Sequence, residues 1–514
     1  MLFTGKLKKK IWIFLAWACV LTLMPLLSEK AFAAESGYIR VGLTSSFAKV
    51  TSVSLLNTDL KIGVCVGNVF YPAGNVRSAS GITITPETGS FTAYKRSFDS
   101  YSRAVTEATA LTAAGGNKAY PCLAGKGSWK VYEASKTGVA NAYMLRVSTG
   151  NGSFLIDGAA IGSFPQFADA SGGTIKLSSN TEYRGRIEIG RYGGSSKLSA
   201  VNVLPLEDYV KGVVTCEMPR LWPIEALKAQ AVCARSYGLL TGKEGSSGKL
   251  EKGYSIGDSE NYQVYRGVKG ESQEGIEAVE ATRGQYVLYN NRVIRTYYFS
   301  TSGGSTETAE DVWGKGKPYL QSVSDIYETE PEKQPWVITL TAGEIESNLS
   351  KNGYNVGTVK DIKPEIITMS GHIYGLKVVG SKDTVTVEKG KIRSVFGLPS
   401  TKFKVVKYGE VPDKVSVSSD SDTDTLRIGE SYILSAEGAA KKADSNLSQY
   451  MVLSGDNITG FASKAPSGKD IYEFAGSGYG HAVGLSQSGA KGMAKAGFSY
   501  KDIISHYFSG SVVR

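Results

Sequence analysis

The sequence predicts an α+β fold that is rich in β-structure, on three observations. Glycine accounts for 60 of 514 residues, about 12%, against roughly 7% in average usage. Tyrosine (29 residues) and phenylalanine (17 residues) are abundant. Short β-prone runs alternate with Gly and Pro, and a few segments carry helical patterns. A hydrophobic fraction of 41% and a charged fraction of 21% are those of a chain that can bury a core, so wholesale disorder is excluded.

The first 33 residues are typical of a secretory signal peptide. Four lysines between Lys6 and Lys10 precede an apolar run from Ile11 to Leu27, and Ala31-Phe32-Ala33 forms a cleavage site. The apolar run is short for a bilayer span, which needs about 20 residues. We therefore expect export and cleavage after Ala33, with an uncleaved membrane anchor as the alternative.

The chain is basic, with a formal net charge of +10. Cleavage after Ala33 would remove five lysines and one glutamate and leave +6. A modestly cationic exported protein is attracted to an anionic cell envelope, although the charge could equally serve solubility. No basic block recurs after Lys10, so no nucleic-acid partner is expected.

Cysteine and histidine are sparse, which argues against a structural zinc site. No CxxC motif is present and the chain has only three His residues. Export permits disulfides, and the cysteines that follow the signal peptide allow three pairings, but unpaired cysteines are equally compatible with the sequence. These residues are Cys65, Cys122, Cys216 and Cys233.

Residues 34–195 are expected to form an N-terminal α+β module. Residues 98–114 are rich in alanine and lack Gly and Pro, which predicts a helix. Residues 196–514 are expected to form a second domain, with a peripheral excursion of hairpins and loops at about 412–470. Strands of the module are predicted at Val50 to Leu56, Ile62 to Val66, Trp129 to Tyr132, Tyr143 to Val147, Thr174 to Leu177 and Tyr183 to Ile189.

The second domain opens on the most organised segment of the chain. Trp222-Pro223 is expected to begin a helix that runs to about Leu240, since Pro fits a first helical position. Further on, residues 276–300 predict a helix followed by strands at Tyr286 to Tyr289 and Val293 to Ser300. Tyr500 to Tyr507 predicts a short amphipathic helix.

Three separated segments carry the functional signal. They are Leu204–Leu240 (LPLEDYVKGVVTCEMPRLWPIEALKAQAVCARSYGLL), Phe299–Gly314 (FSTSGGSTETAEDVWG) and Gly476–Gly497 (GSGYGHAVGLSQSGAKGMAKAG). In this order they resemble the stage II sporulation protein D / LytB family, which contains sporulation lytic transglycosylases and amidase enhancers. The resemblance covers about residues 200–406 and 474–510. It implies a β-rich mixed catalytic domain in which the three segments converge on one cleft.

Glu217 is the candidate catalytic residue. It precedes Met218-Pro219, so it is expected outside the helix, on a rigid turn among apolar neighbours. Desolvation there would favour the protonated form and suit a general acid. An ordinary solvated glutamate is the alternative from the residues alone, and the resemblance favours catalysis because Glu217 matches the family's catalytic glutamate.

Arg235 lies on a mostly apolar helix face, where a charge requires a partner. That partner is either a polar substrate or a core carboxylate, and the resemblance places Arg235 in the active-site cleft. Glu207 and Asp208 are expected to be structural, pairing with Arg235 or Lys228.

The other two segments supply candidate substrate-binding residues. Small hydroxyls at a glycine turn, Thr301 and Ser302, suit recognition of sugar hydroxyls, with an ordinary turn as the alternative. His481 is expected to hydrogen-bond or pack rather than to transfer protons. The resemblance places His481, Ser486 and Gln487 in the cleft. Glu307, Glu310 and Asp311 are expected to cap a helix and form ion pairs, with a carboxylate partner for Glu217, which hydrolysis would need, as the alternative.

No metal and no cofactor are expected. Some family members carry a Cys-Asp-x-x-His-Cys-Gln stretch that binds zinc, and the matching positions here are Gly257 to Gln263, which lack both cysteines and the histidine. Cys216, just before Glu217, is also unusual for the family, since a small residue is expected there.

The resemblance implies an exported lytic transglycosylase that acts on the glycan strands of peptidoglycan during sporulation. Two alternatives stay open. The first is a non-catalytic enhancer that binds glycan and stimulates a cell-wall amidase. The second is a structural sporulation component.

Overall fold

The computed structural model describes residues 37–66, 69–177, 181–244, 250–251, 253–328, 335–407 and 470–514, and six short strands between 414 and 460. The predicted signal peptide lies outside these residues. Within them, no helix has both the length and the apolar character needed to cross a bilayer. The described residues form two compact units: the first consists of those up to Thr296 together with Phe498–Ile504 and Ser511–Arg514, and the second of those within Tyr297–Gly497 together with Ser505–Gly510.

The first unit is built on two large sheets. Its nineteen consecutive strands are β1 (Tyr38–Gly42), β2 (Val53–Leu55), β3 (Asp59–Val66), β4 (Val69–Arg77), β5 (Ile82–Pro86), β6 (Ser90–Ala93), β7 (Ala119–Leu123), β8 (Trp129–Ala134), β9 (Val139–Ala140), β10 (Met144–Thr149), β11 (Gly152–Asp157), β12 (Pro165–Asp169), β13 (Ile175–Lys176), β14 (Glu182–Tyr183), β15 (Arg186–Gly190), β16 (Ser199–Pro205), β17 (Ile256–Gly257), β18 (Val287–Tyr289) and β19 (Arg292–Val293).

Pairing in these sheets is mostly antiparallel. A seven-stranded sheet has the order β17-β1-β16-β15-β12-β3-β4, with β1 and β17 parallel. An eight-stranded sheet has the order β2-β5-β10-β11-β7-β8-β6-β9, with β11 and β7 parallel. The seven-stranded sheet spans position 195, because β15 pairs with β16. The division into a 34–195 module and a 196–514 domain stays a prediction.

Helices of the first unit are α1 (Tyr101–Ala113), α2 (Gly158–Ile161), α3 (Leu206–Glu217), α4 (Ile224–Glu244) and α5 (Gln273–Ala281). Helix α4 begins directly after Pro223, whose carbonyl accepts from the N–H groups of Ala226 and Leu227 (3.0 and 3.3 Å). It runs beyond the predicted end at Leu240. Its residues from 226 to 236 are almost all buried, so α4 is a core helix and not a helix with one apolar face.

The second unit holds smaller sheets. Its strands are β20 (Tyr298–Phe299), β21 (Trp336–Thr341), β22 (Val359–Ile367), β23 (Ile373–Gly380), β24 (Thr384–Glu388), β25 (Phe403–Lys407), β26 (Lys414–Ser418), β27 (Thr423–Arg427), β28 (Tyr432–Leu434), β29 (Ala440–Lys442), β30 (Met451–Ser454), β31 (Asn457–Gly460), β32 (Ile471–Gly476) and β33 (Leu485–Ser486). Strands β21-β32-β25 and β22-β23-β24 form two antiparallel sheets, and β20 pairs in parallel with β33.

The remaining helices complete this unit and the end of the chain. They are α6 (Ala309–Trp313), α7 (Ala342–Lys351), α8 (Lys391–Phe396), α9 (Gln487–Lys495) and α10 (Tyr500–Tyr507). A last strand, β34 (Val512–Val513), pairs with β18 of the first unit. A core of aliphatic and aromatic side chains, Phe396, Phe403 and Phe474 among them, joins α7, α8 and the two three-stranded sheets.

The α+β prediction is confirmed, with differences in the elements. The run from Tyr183 to Ile189 is divided between β14 and β15, because Gly185 has a positive φ (+76°) that interrupts the strand. Of Val293 to Ser300, only Val293 and Tyr298–Phe299 lie in strands. The predicted excursion at 412–470 falls largely outside the described residues, and its six described strands form three two-stranded pairs. Its peripheral position stays a prediction.

Candidate functional site

The sequence had suggested that Glu217 lies on a turn outside the helix. In the structure it is instead the last residue of α3. Met218 follows it with extended backbone (φ −120°, ψ 138°), the conformation that a residue before proline prefers. The helix therefore ends between Glu217 and Met218. The carboxylate Oε1 of Glu217 accepts a hydrogen bond from the backbone N–H of Val264 (2.7 Å), which fixes the direction of the side chain.

The expected apolar surround of Glu217 is only partly present. Met218 is buried, but Leu221 is 80% exposed and Trp222 is half-buried. Glu217 itself is half-buried. The segment between α3 and α4 therefore presents an apolar side chain to solvent within a few residues of the candidate acid.

A cavity of about 550 Å³ has Val264, the residue whose N–H donates to Glu217, in its wall, whereas Glu217 itself is not one of the lining residues. Hydroxyl, carboxylate, amide and guanidinium groups line the cavity together with the rings of Tyr183 and Tyr265. Aromatic surfaces with a few convergent polar groups are typical of small-ligand sites. The polar lining residues include Ser45, Thr181, Asp258, Glu260, Asn261 and Arg266.

Asp258 is held within this wall by three hydrogen bonds. Its Oδ1 accepts from the Thr44 hydroxyl (2.7 Å) and from both the N–H (3.0 Å) and the hydroxyl (2.9 Å) of Ser45. Asp258 stands in the stretch 257–263 that matches the zinc-binding stretch of some relatives, and the sequence did not mark it as a site residue. Among the described residues, no three His, Cys, Asp or Glu side chains are grouped as metal ligands would be.

Arg235 is completely buried, with 0% of its surface exposed. Its Nε and Nη2 donate to the two carboxylate oxygens of Glu207 (2.9 and 2.8 Å). Nη1 donates to the carbonyl of Gln285 (3.1 Å) and Nη2 also to that of Val279 (3.2 Å). These contacts are the structural alternative that the sequence left open, and they confirm that Glu207 is structural. A contact between Arg235 and a substrate stays a prediction.

Thr301 and Ser302 are both buried, at the end of β20. The carboxylate of Glu328 accepts from the Ser302 N–H (2.8 Å), the Ser302 hydroxyl (3.1 Å) and the Gly303 N–H (2.8 Å). The Thr301 hydroxyl has no hydrogen-bond partner among the described residues. Of the two predicted hydroxyls, that of Ser302 is therefore engaged by a carboxylate that sequence reasoning missed.

Ser486 and Gln487 lie at the start of α9. The Ser486 hydroxyl accepts from the Gly489 N–H (3.1 Å) as a helix cap and donates to Glu328 (3.2 Å). The Gln487 side chain is buried, and its Nε2 has no partner in the described part of the chain. Glu328 therefore joins the second and third signature segments, which also pair directly through β20 and β33.

His481 packs among aromatic rings in a strained turn. Its ring centroid lies 5.5 Å from that of Phe299 and 5.3 Å from that of Trp313. Its Nδ1 accepts from the Val483 N–H (3.0 Å). Burial, together with the nearby charge of Arg393, lowers the pKa of His481 to about 4, so the ring is neutral near pH 7. This geometry agrees with the expected hydrogen-bonding and packing role.

Two of the three acidic residues near α6, Asp311 and Glu307, have different surroundings. Asp311 exchanges two hydrogen bonds with Thr308, the cap of α6, as expected of a capping residue. Glu307 lies before the helix and is 2% exposed, with the Thr368 hydroxyl donating to its Oε1 (2.9 Å). Burial raises the pKa of Glu307 to about 7. Glu307 is thus a buried titratable group, contrary to the expected capping role.

No disulfide joins the four described cysteines, Cys65, Cys122, Cys216 and Cys233, so none of the three pairings is formed. Burial raises the pKa of Cys216, next to Glu217, to about 11. Glu217 and Arg235 belong to the first unit, whereas Thr301, Ser302, His481, Ser486 and Gln487 belong to the second. Convergence of all three segments on one cleft stays a prediction.

Comparison with known proteins supports the resemblance seen in the sequence. The family model described as stage II sporulation protein (SpoIID) matches residues 194–289. Stage II sporulation protein D of Bacillus subtilis (strain 168) is 30% identical over 325 residues, which cover 61% of this chain and 76% of that protein. Its counterpart in Bacillus amyloliquefaciens is 28% identical over 323 residues, covering 60% and 74%. The amidase enhancer of Bacillus subtilis is 31% identical over 314 residues, covering 59% of this chain but only 40% of that protein.

Proposed function

The chain belongs to the stage II sporulation protein D family, and from this premise we propose that it is an exported lytic transglycosylase that remodels peptidoglycan during sporulation. The observation that carries the proposal is the placement of Glu217. This carboxyl group ends a helix and accepts a hydrogen bond from the N–H of Val264 (2.7 Å), a residue in the wall of a polar, aromatic-lined cavity of about 550 Å³.

One carboxyl group suffices for this reaction. Glu217 donates its proton to the oxygen of the MurNAc–GlcNAc bond, and the bond from MurNAc C1 to that oxygen breaks. The C6 hydroxyl of the same MurNAc then attacks C1, and its proton passes to Glu217. The products are a 1,6-anhydro sugar and a free GlcNAc end, and Glu217 is again protonated. A hydrolase would need a second carboxylate on the opposite side of the bond.

The cavity that Val264 lines suits a sugar of this kind. Hydroxyl, amide and carboxylate groups can bind sugar hydroxyls and the N-acetyl group, and the rings of Tyr183 and Tyr265 supply apolar surface. Arg235 supports the site from within, because its pairing with Glu207 connects the start of α3 to the middle of α4. Since Glu217 ends α3, this pair acts on the helix that carries the acid.

A second candidate is a non-catalytic enhancer that binds glycan and stimulates a cell-wall amidase. The observation that favours it is the 31% identity to a protein named amidase enhancer. The buried positions of Ser302, Ser486 and Gln487 are also compatible with a role other than catalysis, since these side chains serve the fold.

Product analysis distinguishes the two candidates. The protein is incubated with purified sacculi and with peptide-stripped glycan, and the released fragments are weighed by mass spectrometry. A transglycosylase releases fragments that are lighter by one water than those of a hydrolase, with anhydro-MurNAc ends. An enhancer releases none by itself but increases release of stem peptides by an added amidase. Absence of anhydro products from both substrates would contradict the proposal.

A further inference from the structure

The second unit contains a cavity that the proposed chemistry does not use. It measures about 110 Å³ and lies among α6, the β22–β23 hairpin, α8 and the turn that carries His481. Trp313, 41% exposed, forms part of its rim. Since a water molecule occupies about 30 Å³ in the liquid, the cavity holds a few waters or one small substituent, and is too small for a whole sugar ring.

The charged groups around this cavity are mostly compensated. Glu307 accepts from the Thr368 hydroxyl and is attracted to the ammonium group of Lys402. Asp311 is bound by the Thr308 hydroxyl, and the nearby Lys389 ammonium lies over the Tyr374 ring at 5.2 Å. The two acidic side chains, Glu307 and Asp311, are therefore balanced by two lysines, Lys402 and Lys389. The sum of these four charges is small.

Arg393 is the exception. Its Nε donates to the carbonyl of Pro399 (3.1 Å), and no described carboxylate forms an ion pair with its guanidinium. Burial lowers the pKa of Arg393, which shows that the charge is held at a desolvation cost. Arg393 lines the cavity next to the neutral ring of His481. A half-buried cation without a carboxylate partner would gain stability from an anionic group of a ligand.

We propose that the cavity around Arg393 is a carboxylate-binding subsite for an acidic substituent of the cell-wall glycan. The planar guanidinium fork matches a carboxylate through two parallel hydrogen bonds. The Thr368 and Thr401 hydroxyls lie in the same wall, and Trp313 offers an apolar surface at the rim on which the attached sugar can rest. The identity of the polymer rests on the proposed function, whereas the recognition of a carboxylate rests on Arg393 and the cavity.

Two parts of peptidoglycan carry such a group: the lactyl carboxylate of a MurNAc without its peptide, and the carboxylates of the stem peptide. The test measures binding by calorimetry with the full chain carrying Glu217→Gln, so that cleavage does not interfere. The probes are a GlcNAc–MurNAc tetrasaccharide with free lactyl carboxylates, its lactyl methylamide, and the same tetrasaccharide carrying stem peptides.

The subsite predicts that a carboxylate-bearing probe binds at least about tenfold more tightly than the methylamide, the range of a charge-assisted hydrogen bond. Arg393→Gln should abolish this difference. Lys391→Gln removes a charge from an exposed position of the same helix and should preserve it. Preference for the free lactyl group or for the peptide-bearing probe identifies the source of the carboxylate, and either preference supports the subsite if it depends on Arg393.

Equal affinity for the three probes, or a preference that survives Arg393→Gln, would overturn the subsite. If Arg393→Gln lowers the melting temperature, Arg393→Lys serves instead, because it keeps the charge but loses the fork. It should then retain only part of the preference, and the full preference would also count against the subsite. Failure of the proposed function can be told apart from failure of the subsite. If the proposed function is wrong, the wild-type protein releases no anhydro products, but the difference in affinity between the probes remains.

Discussion

Ser302 donates hydrogen bonds to both carboxylate oxygens of Glu328, from its N–H to Oε1 (2.8 Å) and from its hydroxyl to Oε2 (3.1 Å). The same carboxylate accepts from the Ser486 hydroxyl (3.2 Å). One side chain thus links two signature segments that are far apart in sequence. The consequence is that part of the signature serves to hold the second unit together.

Substitution Glu328→Gln tests this link. The glutamine side chain keeps the shape of the glutamate but has only one oxygen that accepts hydrogen bonds. Because the N–H groups of Ser302 and Gly303 donate to different oxygens of Glu328, one of them loses its acceptor. A buried donor without a partner costs about 1–3 kcal/mol, and we expect the free energy of unfolding to fall by that amount. Urea denaturation measures it. Glu310→Gln, at an exposed position, is the matched control, and equal stability of the two variants would show that the link is dispensable.

Glu217→Gln should stop glycan cleavage. The amide keeps size and hydrogen bonding but cannot exchange a proton, and general acid–base catalysis contributes roughly 10²–10⁴-fold to a rate. Anhydro-product formation from sacculi should fall by at least that factor, with the fold and glycan binding unchanged. Glu277→Gln, an exposed glutamate on α5, should retain full activity. Cleavage by Glu217→Gln at the wild-type rate would refute the assignment of this residue.

Arg235→Met should destabilise the first unit strongly. Removing one member of a buried ion pair leaves the other charge uncompensated, and typical losses are about 3–5 kcal/mol. The double variant Arg235→Met/Glu207→Gln should regain part of this loss, because no charge is then left unpaired. Denaturant unfolding of the two single variants and the double variant gives the coupling energy. Strictly additive effects would mean that the pair contributes no interaction of its own.

Glu307 should make the stability of the protein fall as pH rises from about 4.5 to 7. Burial raises the pKa of Glu307 from 4.5 to about 7, so in this range the folded state binds a proton that the unfolded state has released. The stabilisation is complete below the unfolded pKa and is lost as pH passes the folded pKa. A difference of this size corresponds to about 3 kcal/mol.

His372 lines the same cavity of about 110 Å³ as Glu307, and its effect on stability with pH has the opposite sign. Burial lowers its pKa from 6.5 to about 4, so its contribution grows as pH rises through this interval. Comparison of the wild type with Glu307→Gln, at each pH, isolates the contribution of the glutamate from that of His372, Asp311 and Lys402. The free energy of unfolding of the wild type should exceed that of the variant at pH 4.5, and this excess should disappear by about pH 7. A constant difference between the two curves would show that Glu307 does not titrate there.

The sequence predicted most of what local chemistry determines. The α+β class, the helix after Pro223, the helix at 500–507 and the need of Arg235 for a partner all follow from residue type and spacing. Helix α3, which ends at Glu217, was not predicted from the sequence; it stops there because Pro219 restricts Met218 to extended backbone.

Glu328 and Glu307 could not be assigned from sequence, for a different reason. Glu328 stands in a stretch without periodicity, and only the folded chain brings it to Ser302 and Ser486. Glu307 shares helical spacing with Glu310 and Asp311, but the helix begins at Ala309, which leaves Glu307 to be buried by the β22–β23 turn. Burial of a single side chain depends on tertiary contacts that spacing does not encode.

The pairing of β18 with β34 has a consequence for how the chain is made. Tyr286 and Arg514 exchange two backbone hydrogen bonds next to these strands, N–H to carbonyl at 2.6 and 3.1 Å. Synthesis proceeds from the N-terminus, so β18 leaves the ribosome long before its partner strand exists. The edge of β18 must stay unpaired while the whole second unit is translated. A slow step late in translation would therefore prolong the exposure of that edge to other nascent chains.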